Sequence, residues 1–354
     1  MKLWDLVKIQ LEGRKEMVSV GSEGLRYRLF KGNGVLFKHQ GKVRDTYRLV
    51  DHPGLLLQVT TDRASIFDFV LGSLFPGKGR YLTMLTVFWL TEVLPNLCEN
   101  HLVAYGSDID RYVRPELRHD ADLHSRALIV RDLSGSMLPI ECIARGFLTG
   151  SGLKDYRRTG MVSGHELPLD LHDGSRLPRS IFTPSTKAES GHDQNIDYRG
   201  VREQYGPWVE ELTLALYDAA VEHALTRGLI IADTKFEFDT HGTLADEVLT
   251  SDSSRTWLLE DYQAAQEEHK SPQGFDKQFV REWGTTVETP FFNDEGEQLI
   301  GINSLDPKDA AHAQYVRGLP VLPAIIQKTM QLYGQGFCRL TGSSLDGFLE
   351  SRCS

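Results

Sequence analysis

Leu229-Ile230-Ile231-Ala232-Asp233-Thr234-Lys235-Phe236-Glu237-Phe238, closely followed by Leu244-Ala245-Asp246-Glu247-Val248, is the stretch on which the reading of this chain turns. Its β-branched and aromatic residues mark a strand, and in a strand alternate side chains share a face. Asp233, Lys235 and Glu237 are therefore expected to line one wall while Ile230, Phe236 and Phe238 pack behind it. The linker Asp239-Thr240-His241-Gly242-Thr243 reads as a hairpin loop that folds Asp246 and Glu247 back toward Glu237. By the same alternation Glu247 is expected on the opposite face from Asp246. Several carboxylates around one lysine suit a hard divalent cation, because Mg2+ takes one or two carboxylates together with substrate phosphates. A surface hairpin carrying solvated ion pairs is an equal alternative on this segment alone.

Upstream, Trp208 to Arg227 carries apolar residues at helical spacing and is stopped by Gly228, so a long helix feeds the strand. Nearer the start, Val35 to Lys38, Val43 to Val50 and Leu55 to Val59 read as an antiparallel sheet, and Arg80 to Leu94, closed by Pro95, as a helix packed on it. Ala127 to Val130 and Leu138 to Phe147 are further strands, and Ser134-Gly135-Ser136 between them makes a natural hinge. Residues 160–200 read as one long irregular stretch. Phe275 to Trp283 and Val321 to Tyr333 look helical, 284–304 an inserted loop or hairpin, and residues 1–34 a weakly structured lead-in without chemistry. The expected class is α+β in two lobes: a 1–34 extension, a β-rich lobe over 35–134 and a larger α+β lobe over 135–354.

The 354 residues suffice for two or three substructures around buried cores. A formal net charge of −10 argues against broad binding of nucleic acid or anionic membrane, so an anionic ligand must meet a local basic pocket. Cys98, Cys142, Cys338 and Cys353 show neither zinc spacing nor a disulfide pattern, which fits a reducing cytoplasmic setting. Neither a signal peptide nor a membrane span is expected.

Several short segments carry candidate ligand groups. In the turn Gly41-Lys42-Val43-Arg44-Asp45 a glycine lets backbone amides approach phosphates, and Lys42 and Arg44 share a face. It matches neither a Walker loop nor a GxGxxG fingerprint, and an ordinary surface hairpin is the competing reading. Thr61-Asp62-Arg63-Ala64-Ser65-Ile66-Phe67-Asp68 and Lys78 gather at a strand end and a helix start, where a helix cap is the plainer explanation. Arg145 within an apolar strand must be paired, and with Ser151 at a helix N-terminus it suits a phosphate monoester; a buried ion pair with Glu141 is the alternative. Thr183 to Glu189, with His192-Asp193, reads as a substrate loop. Ser251-Asp252-Ser253-Ser254-Arg255 offers hydroxyls and a guanidinium to an anion.

Together these segments resemble the SAICAR synthetase family. The likeness runs in order through GKVRDTY at 41–47, TDRASIFD at 61–68, PGKG at 76–79, ECIARGFLTGS at 141–151, FTPSTKAESGHDQNI at 182–196, IIADTKFEF at 230–238, DEVLTSDSSR at 246–255 and DKQFVREW at 276–283. The resemblance implies an enzyme that joins L-aspartate to the carboxylate of carboxyaminoimidazole ribonucleotide (CAIR) while ATP becomes ADP and phosphate, with the ATP site between the lobes. It implies ATP and Mg2+ as cofactors and CAIR and L-aspartate as small-molecule partners, with a homo-oligomer left open. Gly41, Lys42, Val43, Arg44 and Lys187 would hold ATP phosphates with Lys235 beside them, and Met137 would border the adenine. Glu237 and Asp246 would hold Mg2+; Arg145, Ser151 and Arg255 would bind the ribonucleotide phosphate and carboxylate; Asp62, Arg63, Ser65, Lys78, Asp233 and Asp252 would complete the substrate walls. Lys235, Asp233, Arg255 and Asp252 are the catalytic candidates. Asp239 and Ser251 depart from the family's usual Gly and Pro, and 1–34 and 284–312 have no counterpart. A related acid–amine ligase or small-molecule kinase, and a nucleotide-binding protein without catalysis, are the remaining readings.

Overall fold

Two antiparallel sheets carry the architecture, and the chain visits the first before the second. The computed structural model describes residues 21–31, 34–187 and 194–352. α1 (Gly21–Lys31) precedes β1 (Val35–Gln40), β2 (Arg44–Leu49) and β3 (Leu55–Thr60); a small hairpin follows, β4 (Arg63–Ile66) and β5 (Phe69–Leu74). Then come α2 (Lys78–Phe88), prolonged by a π-helical turn at Trp89–Val93, β6 (Leu102–Tyr105), α3 (Ala121–Arg126) and β7 (Ala127–Arg131). The first sheet has the order β1-β2-β3-β7-β6, antiparallel throughout. One face of it buries Leu57, Val59 and Ile129 against Leu25 and Leu29 of α1. The expected weakly structured lead-in is thus, over its described part, a packed helix. Residues 1–20 lie outside the described residues.

The second half runs β8 (Ile140–Leu148), α4 (Gly150–Thr159), the two-residue strands β9 (Met161–Val162) and β10 (His165–Glu166), β11 (Ser175–Phe182), β12 (Ser185–Thr186), α5 (Tyr198–Tyr205), α6 (Trp208–Thr226) and β13 (Leu229–Phe238). It continues through β14 (Leu244–Ala245), β15 (Ser254–Leu258), α7 (Leu259–Glu267), α8 (Gln278–Thr285), the hairpin β16 (Glu288–Phe292) and β17 (Gln298–Ile300), α9 (Ala310–Gly318), α10 (Pro323–Thr341) and α11 (Leu345–Arg352). Its main sheet has the order β11-β8-β13-β14, with β12 on β8 and β15 on β13. β11 sits in the region expected to be irregular. Pro178 cannot donate to a ladder, so this strand lies at the sheet edge and its register slips between Arg176 and Ile181, which hides the alternation. The helix expected from Phe275 begins only at Gln278, because the Phe275 amide pairs with the Thr256 carbonyl at 2.9 Å.

β13 is buried along nearly all its length, which removes the surface-hairpin alternative. Its periodicity breaks once, at a bulge between Ile231 and Asp233, where the hydroxyl of Tyr217 on α6 donates to the Ile231 carbonyl at 2.7 Å. Ahead of the bulge Ile230 and Ala232 therefore pack on Phe147 and Trp257, while Ile231 joins Phe236 and Phe238 against α6. The expectation that Ile230 shares the face of Phe236 fails for that reason. The larger core also takes in Leu56, Leu128 and Val130 of the first sheet together with Met84 and Val87 of α2, so one apolar cluster joins the two sheets.

Among the described residues no helix is long and apolar enough to cross a membrane. The C-terminal elements clamp the β4–β5 hairpin: Val316 and Val321 pack with Phe69 and Leu71, and a Cβ at Gly72 would overlap the carbonyl oxygen of Arg317 on α9. Gly72→Ala is accordingly expected to destabilise the chain by about 1–3 kcal/mol, the usual cost of overpacking, read as a lower urea midpoint with unchanged slope.

Candidate active site

Between the sheets lies a cleft of about 620 Å³. The β1–β2 turn forms one lip, the β4–β5 tip another, and the polar face of β8, β13 and β15 forms the floor. Gly41, Lys42, Val43, Arg44, Ser65, Arg145, Ser151, Lys187, Asp233, Lys235, Glu237, Asp246, Asp252 and Arg255 all border it, as expected from the sequence.

Four expected residues do not. Arg63 lies behind the glycine turn, donating to the Gly41 and Lys42 carbonyls at 3.0 and 3.2 Å and pairing with the buried Asp45 at 2.7 Å. It shapes the turn from outside the cleft. Asp62 is consumed by the Gly79 amide at 3.1 Å and Arg126 at 2.9 Å, so it caps α2 and pairs a buried cation. Lys78 is buried and donates to Asp252 at 2.7 Å from below the floor. Met137 bridges to Asp239 at the crossing between the sheets and does not border the cleft.

The floor divides in two. At one end Asp233 stands opposite Arg145 on β8 and Arg255 on β15, and its carboxylate pairs with both guanidiniums, Arg145 at 2.6 Å. Arg145 therefore takes Asp233 as its counter-ion, and Glu141, expected as the alternative partner, instead accepts from Lys235 at 2.6 Å. Arg145 also donates to Thr183 and to Ser151, both at 2.9 Å. Gly150 is left-handed at φ 57°, and a Cβ there would run into the Arg255 guanidinium.

Asp276, Lys277 and Arg281, residues without an expected role, close this end. Lys277 and Arg281 stand four apart at the start of α8, so one helix face presents both cations; that spacing, within DKQFVREW, was the available signal. Burial pulls Lys277 down to about 8 against the opposing pull of Asp252, and pushes Asp276 up to about 6.

At the other end the groups pair as Lys187 with Glu237, Arg44 with Asp246, and exposed Lys42 with Asp68 at 2.5 Å. Asp246 sits at φ 61°, so its segment is a turn and alternation does not govern Glu247. Glu247 consequently borders the same cleft, 3.7 Å from Arg44, against the expectation that it faces away. Burial and then Asp246 push the Glu237 carboxyl up, more than Lys235 and Lys187 pull it down. Asp246 moves the other way: burial opposes ionisation, yet Arg44, Lys235 and Lys187 hold it below the carboxylate range. Burial works against Lys235 as well, but Glu141 and Glu237 keep it firmly charged.

Asp239, the departure from the family's glycine, bonds the His241 and Thr243 amides at 2.9 and 2.8 Å and so tightens its own turn without entering the cleft. Of the expected substrate loop, Ala188, Glu189, His192 and Asp193 lie outside the described residues, as does Cys353.

The chain matches the family model described as SAICAR synthetase over residues 37–297. It is 42% identical over 319 residues to the phosphoribosylaminoimidazole-succinocarboxamide synthase of Thioalkalivibrio sulfidiphilus, covering 86% of this chain and 95% of that one. To the synthase of the same name from Saccharopolyspora erythraea it is 48% identical over 258 residues, covering 70% and 81%. Among solved structures, the SAICAR synthase of Saccharomyces cerevisiae complexed with SAICAR aligns with a TM-score of 0.69 at 33% identity, over 88% of this chain and 96% of that one.

Two measurements probe the floor. Asp233→Asn leaves buried Arg145 without its counter-ion and is expected to cost about 3 kcal/mol in urea unfolding. The folded Lys277 titrates at about 8 against an ordinary 10.5, so between these values the unfolded chain binds more protons and stability rises with pH. Lys277→Met should remove that rise and stabilise the protein below pH 8, read from unfolding at about pH 7, 8.5 and 10.

Proposed function

The chain belongs to the SAICAR synthetase family, ligases of purine biosynthesis that join L-aspartate to the carboxylate of CAIR at the expense of ATP, and we propose that this reaction runs in the cleft just described. The observation that carries the assignment of roles is the division of the floor. Asp233, Lys235 and Glu237 project from one strand, yet Asp233 orients guanidiniums at one end while Lys235 and Glu237 serve the other.

Arg145, Ser151 and Arg255, with Lys277 and Arg281, take the phosphate and carboxylate of the ribonucleotide. Forked guanidiniums bind such groups bidentately, and Asp233 fixes their planes in advance. Gly41, Lys42, Val43, Arg44 and Lys187 hold the ATP phosphates. Lys235 lies between the two groups, where the CAIR carboxylate meets the γ-phosphorus. A carboxylate oxygen attacks that phosphorus and ADP leaves, giving an acyl phosphate. The aspartate nitrogen then attacks the acyl carbon, phosphate departs with its bonding pair, and the nitrogen gives up a proton. Permanently charged Lys235 offsets the meeting of two anions, which is the main burden in phosphoryl transfer.

Glu237 and Asp246 suit Mg2+. Glu237 remains pushed toward its neutral form by burial and by Asp246 despite two neighbouring lysines, so the position has room for further positive charge. Two carboxylates suffice for such an ion, because Mg2+ usually takes one or two together with substrate phosphates. When bound, the ion would supply charge neutralisation for the transferring phosphoryl group. Residues 35–134 and 135–354 then act as the two lobes around ATP, in the cytoplasm where these metabolites are held.

A coupled assay is expected to show ADP release only when ATP, CAIR, L-aspartate and Mg2+ are all present. Glu237→Gln should lower kcat by roughly a hundredfold or more, the equivalent of several kcal/mol of charge stabilisation. Release that ignores aspartate, or another amine that clearly outperforms it, would exclude this assignment in favour of a kinase or a relative with a different acceptor.

A further inference from the structure

Asp252 borders the cleft, but the groups that hold it do not. One carboxylate oxygen accepts from Lys78 at 2.7 Å, at the first residue of α2; the other accepts from the Tyr333 hydroxyl at 2.7 Å, midway along α10. Lys78 and Tyr333 are both buried, below the floor, in a narrow apolar surround that includes Ala64, Phe75 and Val280. An ammonium at the start of a helix meets the positive end of the dipole and, out of water, needs a counter-ion; Asp252 is that ion. With both oxygens engaged, the carboxylate cannot rotate. Lys277 borders both the cleft and the same buried surround as Asp252, whose negative charge supports the Lys277 ammonium through space. α10 spans Pro323–Thr341, beyond the 37–297 stretch matched by the family model.

We propose that Tyr333 is a positioning residue for the ligase reaction: from α10 its hydroxyl, with Lys78, locks the Asp252 carboxylate so that Asp252 and Lys277 present a fixed charge pair to the ribonucleotide end of the cleft. α10 thereby completes the site without entering it. This rests on the ligase assignment made above.

The test compares Tyr333→Phe, which removes one oxygen, with Thr329→Val. Thr329 borders the same void but spends its hydroxyl on the Ile325 carbonyl of its own helix at 2.8 Å. Losing a hydrogen bond to a charged group should lower kcat/KM for CAIR and for aspartate about tenfold in Tyr333→Phe, with KM for ATP held within about twofold. Thr329→Val should match wild type. On the ligand-free protein, reductive methylation of Lys277 near neutral pH, read by peptide mass spectrometry, should quicken by about threefold in Tyr333→Phe alone, because a released Asp252 no longer supports the ammonium. Unchanged kcat/KM in Tyr333→Phe, an equal loss in Thr329→Val, or an equal rise in KM for ATP would overturn the proposal. A wild type that releases no ADP with CAIR and aspartate would instead refute the ligase assignment, and the methylation comparison would then decide the positioning claim by itself.

Discussion

Everything at the Arg145 end of the cleft depends on one carboxylate flanked by two guanidiniums. Asp233 on β13 faces Arg145 across one ladder and Arg255 across the other, so the ion triad is also a registration device for three adjacent strands. A slip by one residue would turn Asp233 into the apolar face and leave buried Arg145 and half-buried Arg255 unpaired, at a cost far above that of an ordinary mispairing. The bulge just before Asp233, satisfied by Tyr217, sets which side chains reach the cleft. The tight fit of Gly150 against Arg255 holds the third member in place.

The opposite end of the cleft is organised by exchangeable pairs. Lys187 with Glu237, Arg44 with Asp246 and Lys42 with Asp68 neutralise one another in the free protein. Each cation is a candidate phosphate ligand, and two of the carboxylates are candidate metal ligands, so a metal–nucleotide complex would give both members of these pairs a new partner. Separating the Lys187–Glu237 pair for phosphate alone leaves the buried Glu237 carboxylate without that partner, which is costly.

Much of this was legible in the chain itself. The alternation of Asp233, Lys235 and Glu237, the helix that ends at Gly228, the early antiparallel strands and the glycine turn all appear where local pattern places them, because each is governed by neighbours a few residues away. The exceptions have local causes too: Pro178 disguises β11, the bulge moves Ile230 to another face, and the positive φ of Asp246 brings Glu247 into the cleft.

What the sequence by itself determined is the inventory: which acids, bases and hydroxyls occur beside strands and turns, and the family those ordered motifs resemble. Only the tertiary structure decided the partners. Arg145 answers to Asp233 and not to Glu141, Arg63 and Asp62 serve the backbone outside the cleft, and Lys78, Asp252 and Tyr333 meet across α2, a loop and α10. The reason is physical. A charge taken out of water must find a counter-charge within a few ångström, and which one is near is fixed by sheet order and helix packing, contacts far apart in sequence that no local period encodes.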